Sequence, residues 1–223
     1  MELGRYITAM EKEFRRHASA KQAAGAKAYM RNQFEYTGLS TPVRRRLLKE
    51  FIRQNGIPTP GQMEEFVMLM WKKEEREFQY SAMEIFHLQK KNFRKSDLAV
   101  FGYMITHRPW WDTVDFIAPK LAGEYFRLFP REIKKTIRQW LSSGNTWLIR
   151  SAILFQLNYK SETDEKLLFS ICSSQSMHED FFIRKGIGWA LRQYARTNPS
   201  AVRRFVSTHK LSPLSKREAM KHL

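Results

Sequence analysis

Apolar residues recur at helical spacing along nearly the whole chain. At its beginning, two stripes repeat every fourth residue: Tyr6, Met10 and Phe14, then Ala26, Met30 and Phe34. Further helical patterns cover residues 63–72, 78–88, 96–106, 131–141, 146–159, 165–173, 181–195, 201–208 and 215–223. Alternating β-branched runs between tight turns, which would indicate strands, are missing. The pattern therefore predicts an all-α protein.

Turn and cap residues divide these segments. Thr41 followed by Pro42 predicts the start of a helix, with Thr41 as its N-cap. Three arginines at 44–46 follow directly, against the preference of the helix dipole, which fits either phosphate contacts or a solvated basic face. Pro109 predicts the end of one helix and is suited to the opening of the next, so we expect helix from Trp111 onward.

Several helical segments can be laid over one another with a period near 35 residues. Ala82, Ala152 and Gly186 then occupy corresponding positions, 70 and 34 residues apart. Two helices per unit at such a period are typical of an α-solenoid of HEAT-like repeats, in which one helix of each pair lines a concave face. We therefore predict a single curved solenoid domain over residues 1–223.

The same register aligns charged residues along the predicted concave face. Asp115 and Arg150 are 35 residues apart, and both correspond to Arg184 or Lys185 in the next unit. Lys and Arg number 39 against 22 Asp and Glu, so the formal net charge is +17 and is spread along the chain. A folded basic protein of this kind most often binds a polyanion, with nucleic acid ahead of a membrane surface. A protein that is simply soluble and basic is the alternative.

Other features exclude several classes of site. Cys172 is the single cysteine, which rules out an intramolecular disulfide and fits a reducing compartment. The charged beginning of the chain lacks the apolar core of a signal peptide, and no apolar run is long enough to span a membrane, so we expect a soluble cytosolic protein. The histidines lack metal-ligand spacing, and neither a metal nor a cofactor is predicted. Gly186 and Gly188 lie in a helical pattern without a preceding strand, so we expect close helix packing there and no nucleotide loop.

Aromatic and charged residues at helical spacing are the candidates for chemistry. Trp111 and Asp115 are four residues apart and share one helix face, and a π surface beside a carboxylate suits a site that stabilises a cation. A core tryptophan with an aspartate favoured in the first helical turn is the alternative. Trp189 and Arg192 also share a face. Arg150 either contacts a ligand or pairs with Asp115 as a buried ion pair.

Six segments of the chain resemble the AlkD family of bacterial DNA alkylation repair glycosylases. The most specific are Arg-Pro-Trp-Trp-Asp-Thr-Val-Asp at 108–115 and the stretch around Gly-Ile-Gly-Trp within 181–195. The others are Asn-Thr-Trp-Leu-Ile-Arg-Ser-Ala at the start of 145–157, Leu-Ser-Pro-Leu-Ser-Lys-Arg-Glu-Ala at 211–219, Ala-Tyr-Met-Arg-Asn-Gln-Phe at 28–34 and Gly-Leu-Ser-Thr-Pro at 38–42. The likeness covers most of the chain.

The resemblance implies a stack of HEAT-like repeats with a basic concave groove for duplex DNA. By position, the catalytic cluster of the family falls on Trp111, Asp115 and Trp189. Arg150 is then expected to contact the DNA backbone beside that cluster, and Tyr29 and Thr41 to approach the DNA near the lesion. Together with the charged residues singled out above, the predicted DNA-binding residues are Arg150, Tyr29, Thr41, Arg192, Arg184 and Lys185.

The resemblance also implies an activity. The family hydrolyses the N-glycosidic bond of cationic N3- and N7-alkylpurines, such as 3-methyladenine and 7-methylguanine, in duplex DNA and without flipping the base. We therefore expect a monomeric, cofactor-free glycosylase of base excision repair whose partner is duplex DNA containing alkylated purines, with no membrane partner. A non-catalytic nucleic-acid-binding solenoid and a protein-interaction scaffold are the alternatives. The charge disfavours the scaffold, and Asp115 disfavours the pure binder because a carboxylate facing phosphates costs affinity.

Overall fold

Helices make up the regular structure of residues 2–223, which are the residues that the computed structural model describes. Within this range no strand is present, and the one isolated bridge joins Glu35 and Glu75 in parallel. The prediction of an all-α protein is therefore confirmed.

The helices fall into two compact units, one ending at Val100 and one running from Phe101 to Leu223. The first unit contains α1 (Leu3–Arg16), α2 (Ala20–Tyr29), α3 (Thr41–Asn55), α4 (Met63–Trp71) and α5 (Arg76–Leu88). Along the chain, α6 (Asp97–Thr106) connects the two units. The second unit contains α7 (Trp111–Phe116), α8 (Gly123–Leu128), α9 (Ile133–Leu141), α10 (Thr146–Leu154), α11 (Glu165–Ser174), α12 (Phe181–Ala195), α13 (Pro199–Thr208) and α14 (Pro213–Ala219). The prediction of one curved domain with a basic groove stays a prediction.

Each unit has its own core, built from the apolar stripes of its helices. In the first unit, Met10 and Phe14 of α1 are fully buried, and Phe14 stacks on Phe78 of α5 with ring centroids 5.7 Å apart. In the second unit, Phe126 of α8 packs edge-on against Phe155, 5.2 Å away. Removing such side chains from water is the main favourable contribution to folding, so helical periodicity predicts these stripes well.

Several predicted boundaries differ from the structure. The helix predicted over 215–223, for example, is α14, which begins at Pro213 and ends at Ala219. α2 ends at Tyr29. Arg31 and Asn32 have φ values of 55° and 58°, in the left-handed region, so a right-handed helix cannot continue through them. The N-cap of α3 is Ser40, and Thr41 is the first helical residue, so the prediction of Thr41 as N-cap was wrong by one position. The helix predicted over 146–159 ends at Leu154.

A wide helical segment joins α7 to α8. Residues Ile117–Ala122 form a π-helix, and Pro119 lies inside it. Proline has no N–H, so it cannot donate a hydrogen bond to the carbonyl group four residues earlier, which is that of Asp115. A π-helical turn is one of the ways in which a helix accommodates this loss. Pro119 is the sequence signal for this irregularity, and helical periodicity alone did not predict it.

The two glycines of α12 allow neighbouring helices to approach closely, as predicted. A Cβ atom on Gly188 would lie 2.5 Å from Cβ of Glu218 and 2.9 Å from the carbonyl oxygen of Ser215, both on α14. A Cβ atom on Gly186 would lie 3.2 Å from Nη1 of Arg150 on α10. Helix α12 is therefore packed tightly against α14 and α10, and both contacts bear on the candidate site.

Candidate active site

An ion pair between α7 and α10 lies at the centre of the predicted site. Arg150 donates from Nε to Oδ1 of Asp115 over 2.7 Å and from Nη2 to Oδ2 over 2.9 Å. Both oxygens of the carboxylate are thus engaged by one planar guanidinium, the geometry in which arginine binds carboxylates most strongly. The Arg150 side chain is only 5% exposed, whereas that of Asp115 is 19% exposed. The carboxylate is therefore the member of the pair that remains accessible.

The remaining donor nitrogen of Arg150 is also in use. Its Nη1 donates to the carbonyl oxygen of Phe182, near the start of α12. All three nitrogens of the buried Arg150 side chain are thus bonded inside the protein, and the DNA contact expected of Arg150 stays a prediction. Of the two roles left open for Arg150, the structure has the ion pair with Asp115.

The environment of Asp115 shifts its acidity. Burial raises the pKa of the Asp115 carboxyl above its usual value, the Arg150 guanidinium opposes that rise, and the neighbouring charge of Asp112 adds to it. The pKa is raised overall because burial costs the charged carboxylate more hydration free energy than its interaction with Arg150 recovers. Asp115 is thus a desolvated carboxylate with a fixed orientation, the kind of group that stabilises positive charge effectively.

A cluster of three aromatic rings surrounds the helix starts next to this ion pair. Trp147 and Phe182 have ring centroids 4.9 Å apart, and Trp110 lies 5.7 Å from the first and 5.3 Å from the second. The indole nitrogen of Trp110 is buried and has no hydrogen-bond partner among residues 2–223. Trp147 is half-buried and packs here as part of this cluster. Phe182 was not singled out from the sequence, because a single aromatic residue carries no signal of which rings it will meet.

The two predicted catalytic tryptophans occupy helix positions in the second unit. Trp111 is the first residue of α7 and lies one turn before Asp115, so the two share a helix face as predicted. Trp189 lies in α12 and is partly exposed. Among residues 2–223, no ring stacks on Trp189 and no group is hydrogen-bonded to it. The side chain of Trp189 is therefore partly accessible and makes no aromatic or polar contact within the described chain.

The cations flanking Trp189 are held by one carboxylate of α14. Lys185 Nζ donates to Oε1 of Glu218 over 2.9 Å, and Arg192 Nη1 donates to Oε2 over 2.5 Å. These two contacts, with that of Lys185 first, lower the pKa of Glu218 to about 2. Arg184 differs, since its Nε donates to the carbonyl oxygen of His178 over 2.9 Å and no carboxylate of the described chain pairs with it. The predicted DNA contacts of these cations stay predictions.

The remaining predicted DNA-binding residues, Tyr29 and Thr41, lie in the first unit. Tyr29 ends α2 and is 73% exposed, and Thr41 is exposed at the start of α3. The loop before α3 is fixed by the buried carboxylate of Glu77, which accepts the backbone N–H groups of Thr37, Gly38 and Leu39 at 2.9–3.1 Å. The loop that leads to Thr41 is thus rigidly held.

The arginines that follow Thr41 are paired. Arg44 is buried and donates to both oxygens of Glu84, at 2.8 and 3.0 Å, and Arg45 donates to the same carboxylate over 3.0 Å. Arg46 lies 3.5 Å from Glu50 one turn further on. Arg44 therefore neither contacts a phosphate in this conformation nor belongs to a solvated basic face, because it is buried in an ion pair with Glu84.

Other kinds of chemistry find little support in the described residues. Within 2–223, no three His, Cys, Asp or Glu side chains converge on a position where they could hold a metal ion. Cys172 is completely buried, and burial raises the pKa of its thiol to about 12, so it is not a nucleophile at neutral pH. Across the same residues, no helix has both the length and the apolar character needed to cross a bilayer.

The fold and the site thus define an all-helical protein with a desolvated, arginine-oriented aspartate beside aromatic residues on a basic chain. Residues 10–223 match the family of DNA alkylation repair enzymes, and the chain belongs to that family. No curated protein matches it.

Similar solved structures include two bacterial proteins. One, described as a predicted DNA alkylation repair enzyme from Enterococcus faecalis, is 31% identical, with a TM-score of 0.85 over 92% of this chain and 96% of that one. The other, smu.31 from Streptococcus mutans UA159, is 17% identical, with a TM-score of 0.61 over 81% of this chain and 97% of that one. The first supports both family and fold, and the second supports the fold alone.

Proposed function

We propose that this protein is a DNA glycosylase that releases cationic N3- and N7-alkylpurines from duplex DNA by hydrolysis of the N-glycosidic bond. The observation that carries the proposal is the Asp115 carboxylate, desolvated, partly exposed and held at both oxygens by Arg150. Membership of the DNA alkylation repair family supports a role in repair.

The chemistry of the substrate explains why so few catalytic groups suffice. Alkylation at N3 or N7 makes the purine cationic, so it departs as a neutral base and needs no general acid. As the glycosidic bond breaks, positive charge develops on the sugar as an oxocarbenium ion. A carboxylate fixed beside the sugar stabilises that ion and accepts a proton from the attacking water, as carboxylates do in glycoside hydrolysis.

In this proposal Arg150 has a positioning role. Because it binds both oxygens of Asp115 and the carbonyl oxygen of Phe182, it holds the carboxylate in one orientation before the DNA binds. A group that is already oriented costs no reorganisation when charge develops, which is the source of its electrostatic contribution.

Besides the Asp115 carboxylate, Trp111 and Trp189 can attract a cation. Trp111 shares a helix face with Asp115, and the ring of Trp189 has no partner in the described chain, so both can offer π faces to the positively charged nucleotide. Neutral lesions would gain nothing from these faces and leave poorly. Recognition through the sugar and backbone, without base flipping, and action as a monomer are parts of the same proposal.

An excision assay tests the proposal directly. Duplexes carrying either 7-methylguanine or the neutral lesion uracil are incubated with the protein, and abasic sites are revealed by strand cleavage in alkali. We expect release of 7-methylguanine well above its spontaneous loss and no release of uracil. Binding of duplex DNA without release of 7-methylguanine would instead support a non-catalytic nucleic-acid-binding protein.

A further inference from the structure

The carboxylate of Glu218 on α14 binds two cationic side chains of α12, Lys185 and Arg192. Glu218 accepts from Lys185 over 2.9 Å and from Arg192 over 2.5 Å, and a third contact of 3.2 Å joins Arg192 Nη1 to the Glu218 backbone oxygen. The Glu218 side chain is 16% exposed, less than that of either cation, at 39% for Lys185 and 23% for Arg192. The carboxylate thus lies beneath the two cations.

The two cations flank a residue of the candidate site. Lys185 precedes Trp189 by four residues and Arg192 follows it by three, so all three side chains share one face of α12. Gly188 brings α14 against this helix, since a Cβ atom there would lie 2.5 Å from Cβ of Glu218. The close approach places the carboxylate within reach of both cations at once.

Glu218 is ionised at physiological pH. Its pKa is lowered to about 2 by Lys185 and then by Arg192, so Glu218 carries its negative charge throughout the physiological range. Around Trp189, two positive charges and one negative charge therefore sum to a single positive charge. Because each phosphate neutralised by a free cation releases counterions, pairing these cations weakens binding to any DNA sequence.

We propose that Glu218 sets the strength of phosphate binding on the Trp189 face of α12 by occupying Lys185 and Arg192. This inference rests on the proposed function, because it takes that face to bind duplex DNA. A repair enzyme must dissociate quickly from undamaged DNA in order to search for lesions. By pairing with Lys185 and Arg192, Glu218 lowers the non-specific affinity that would slow this dissociation.

The test measures the salt dependence of binding to an undamaged duplex. Replacing Glu218 with Gln keeps the size of the side chain and removes its charge. Because an amide has one acceptor oxygen where the carboxylate has two, the change frees at least one of the two cations. We expect tighter binding and a slope of log affinity against log salt that is steeper by about 0.9 for each cation that gains a phosphate, so by about 0.9–1.8. In excision assays, added undamaged DNA should inhibit Glu218→Gln more strongly than it inhibits the wild-type protein.

Glu165→Gln is the matched control. Glu165 of α11 accepts hydrogen bonds from the neutral donors Tyr194 and Asn198, at 2.8 and 3.1 Å, and no cation of the described chain pairs with it. The control variant removes the same charge without releasing a cation, so its salt slope should equal that of the wild-type protein. Thermal melting of each variant shows that the protein compared is folded.

Two results would overturn the inference. A folded Glu218→Gln variant with the wild-type slope would make Glu218 a purely structural contact between α12 and α14. An equal steepening in Glu165→Gln would assign the effect to net charge and not to the released cations. The proposed function fails separately, if the wild-type protein leaves 7-methylguanine in place, and the salt slopes decide the role of Glu218 in that case too.

Discussion

Gly186 makes room for Arg150: a Cβ atom at this position would lie 3.2 Å from Nη1 and 3.8 Å from Cγ of the arginine. The missing side chain of one helix therefore sets the position of the guanidinium that orients Asp115. Contact at 3.2 Å is tight enough to require a shift of a few tenths of an ångström in one partner. The arginine, whose side chain is the flexible partner, is the group that we expect to move.

This relationship predicts the effect of Gly186→Ala. Because a small displacement of Arg150 misorients the Asp115 carboxylate, we expect excision of 7-methylguanine to fall by about 10- to 100-fold. The free energy of unfolding should change by no more than about 1 kcal/mol, since alanine is favoured over glycine inside a helix by a similar amount. Single-turnover excision and denaturant unfolding on the same preparation measure both effects.

Gly102→Ala is the control for that variant. Gly102 also lies within a helix, α6, but a Cβ atom there would meet nothing within 4 Å. We expect it to gain about 0.5–1 kcal/mol in stability and to keep its excision rate. A normal rate in folded Gly186→Ala would show that Arg150 does not need this exact position.

Asp115→Asn separates the catalytic role of the carboxylate from its structural role. We expect the excision rate of the folded fraction to fall by about two orders of magnitude or more, the scale for removing one preorganised electrostatic group. Since the substitution leaves the buried Arg150 without its counter-charge, stability should fall as well, by up to about 3–5 kcal/mol. The rate is measured by single turnover and the stability by thermal melting.

The double variant Asp115→Asn with Arg150→Met resolves the two effects. Replacing both members of a buried ion pair by neutral groups is often nearly neutral for stability, so melting should recover most of its loss. Excision should remain low, because the negative charge is still absent. Recovery of both quantities together would mean that Asp115 acts only through the packing of its neighbourhood.

The pH dependence of excision reports the acidity of Asp115. Burial raises the pKa of this carboxyl above its usual value of 3.8, with Asp112 adding to the rise and Arg150 opposing it. The ionised form is the active one, so the rate should increase with pH and reach a plateau above the raised pKa. Single-turnover rates between pH 4 and pH 8, corrected for spontaneous depurination, measure the midpoint. A midpoint at or below the usual value would contradict the desolvated site.

The salt dependence of DNA binding identifies which cations reach phosphates. Arg184 has no carboxylate partner in the described chain, so Arg184→Gln should flatten the slope of log affinity against log salt by about 0.9. Arg127→Gln is the control, because Arg127 is already paired with Glu162. An unchanged slope in Arg184→Gln would remove Arg184 from the DNA-binding residues.

The sequence by itself determined the helical class, most helix positions and the family. Helical periodicity is sufficient for these because it records which face of each segment is apolar, and that face is buried whatever it packs against. Spacing along one helix was equally reliable: Trp111 and Asp115 had to share a face once α7 formed. The helix that ends early at Tyr29 shows the limit, since apolar spacing continued to Phe34 while the backbone turned at Arg31.

Contacts between helices were decided only by the tertiary structure. Periodicity left Arg150 with two roles, and the packing of α7, α10 and α12 assigned it to Asp115 and to the carbonyl group of Phe182. The pairing of Glu218 with Lys185 and Arg192 had no signal at all in the pattern of residues. The physical reason is that a charged side chain binds whichever partner lies within about 4 Å, and that distance depends on how two helices approach each other. At Gly186 and Gly188, that approach is set by the absence of a side chain.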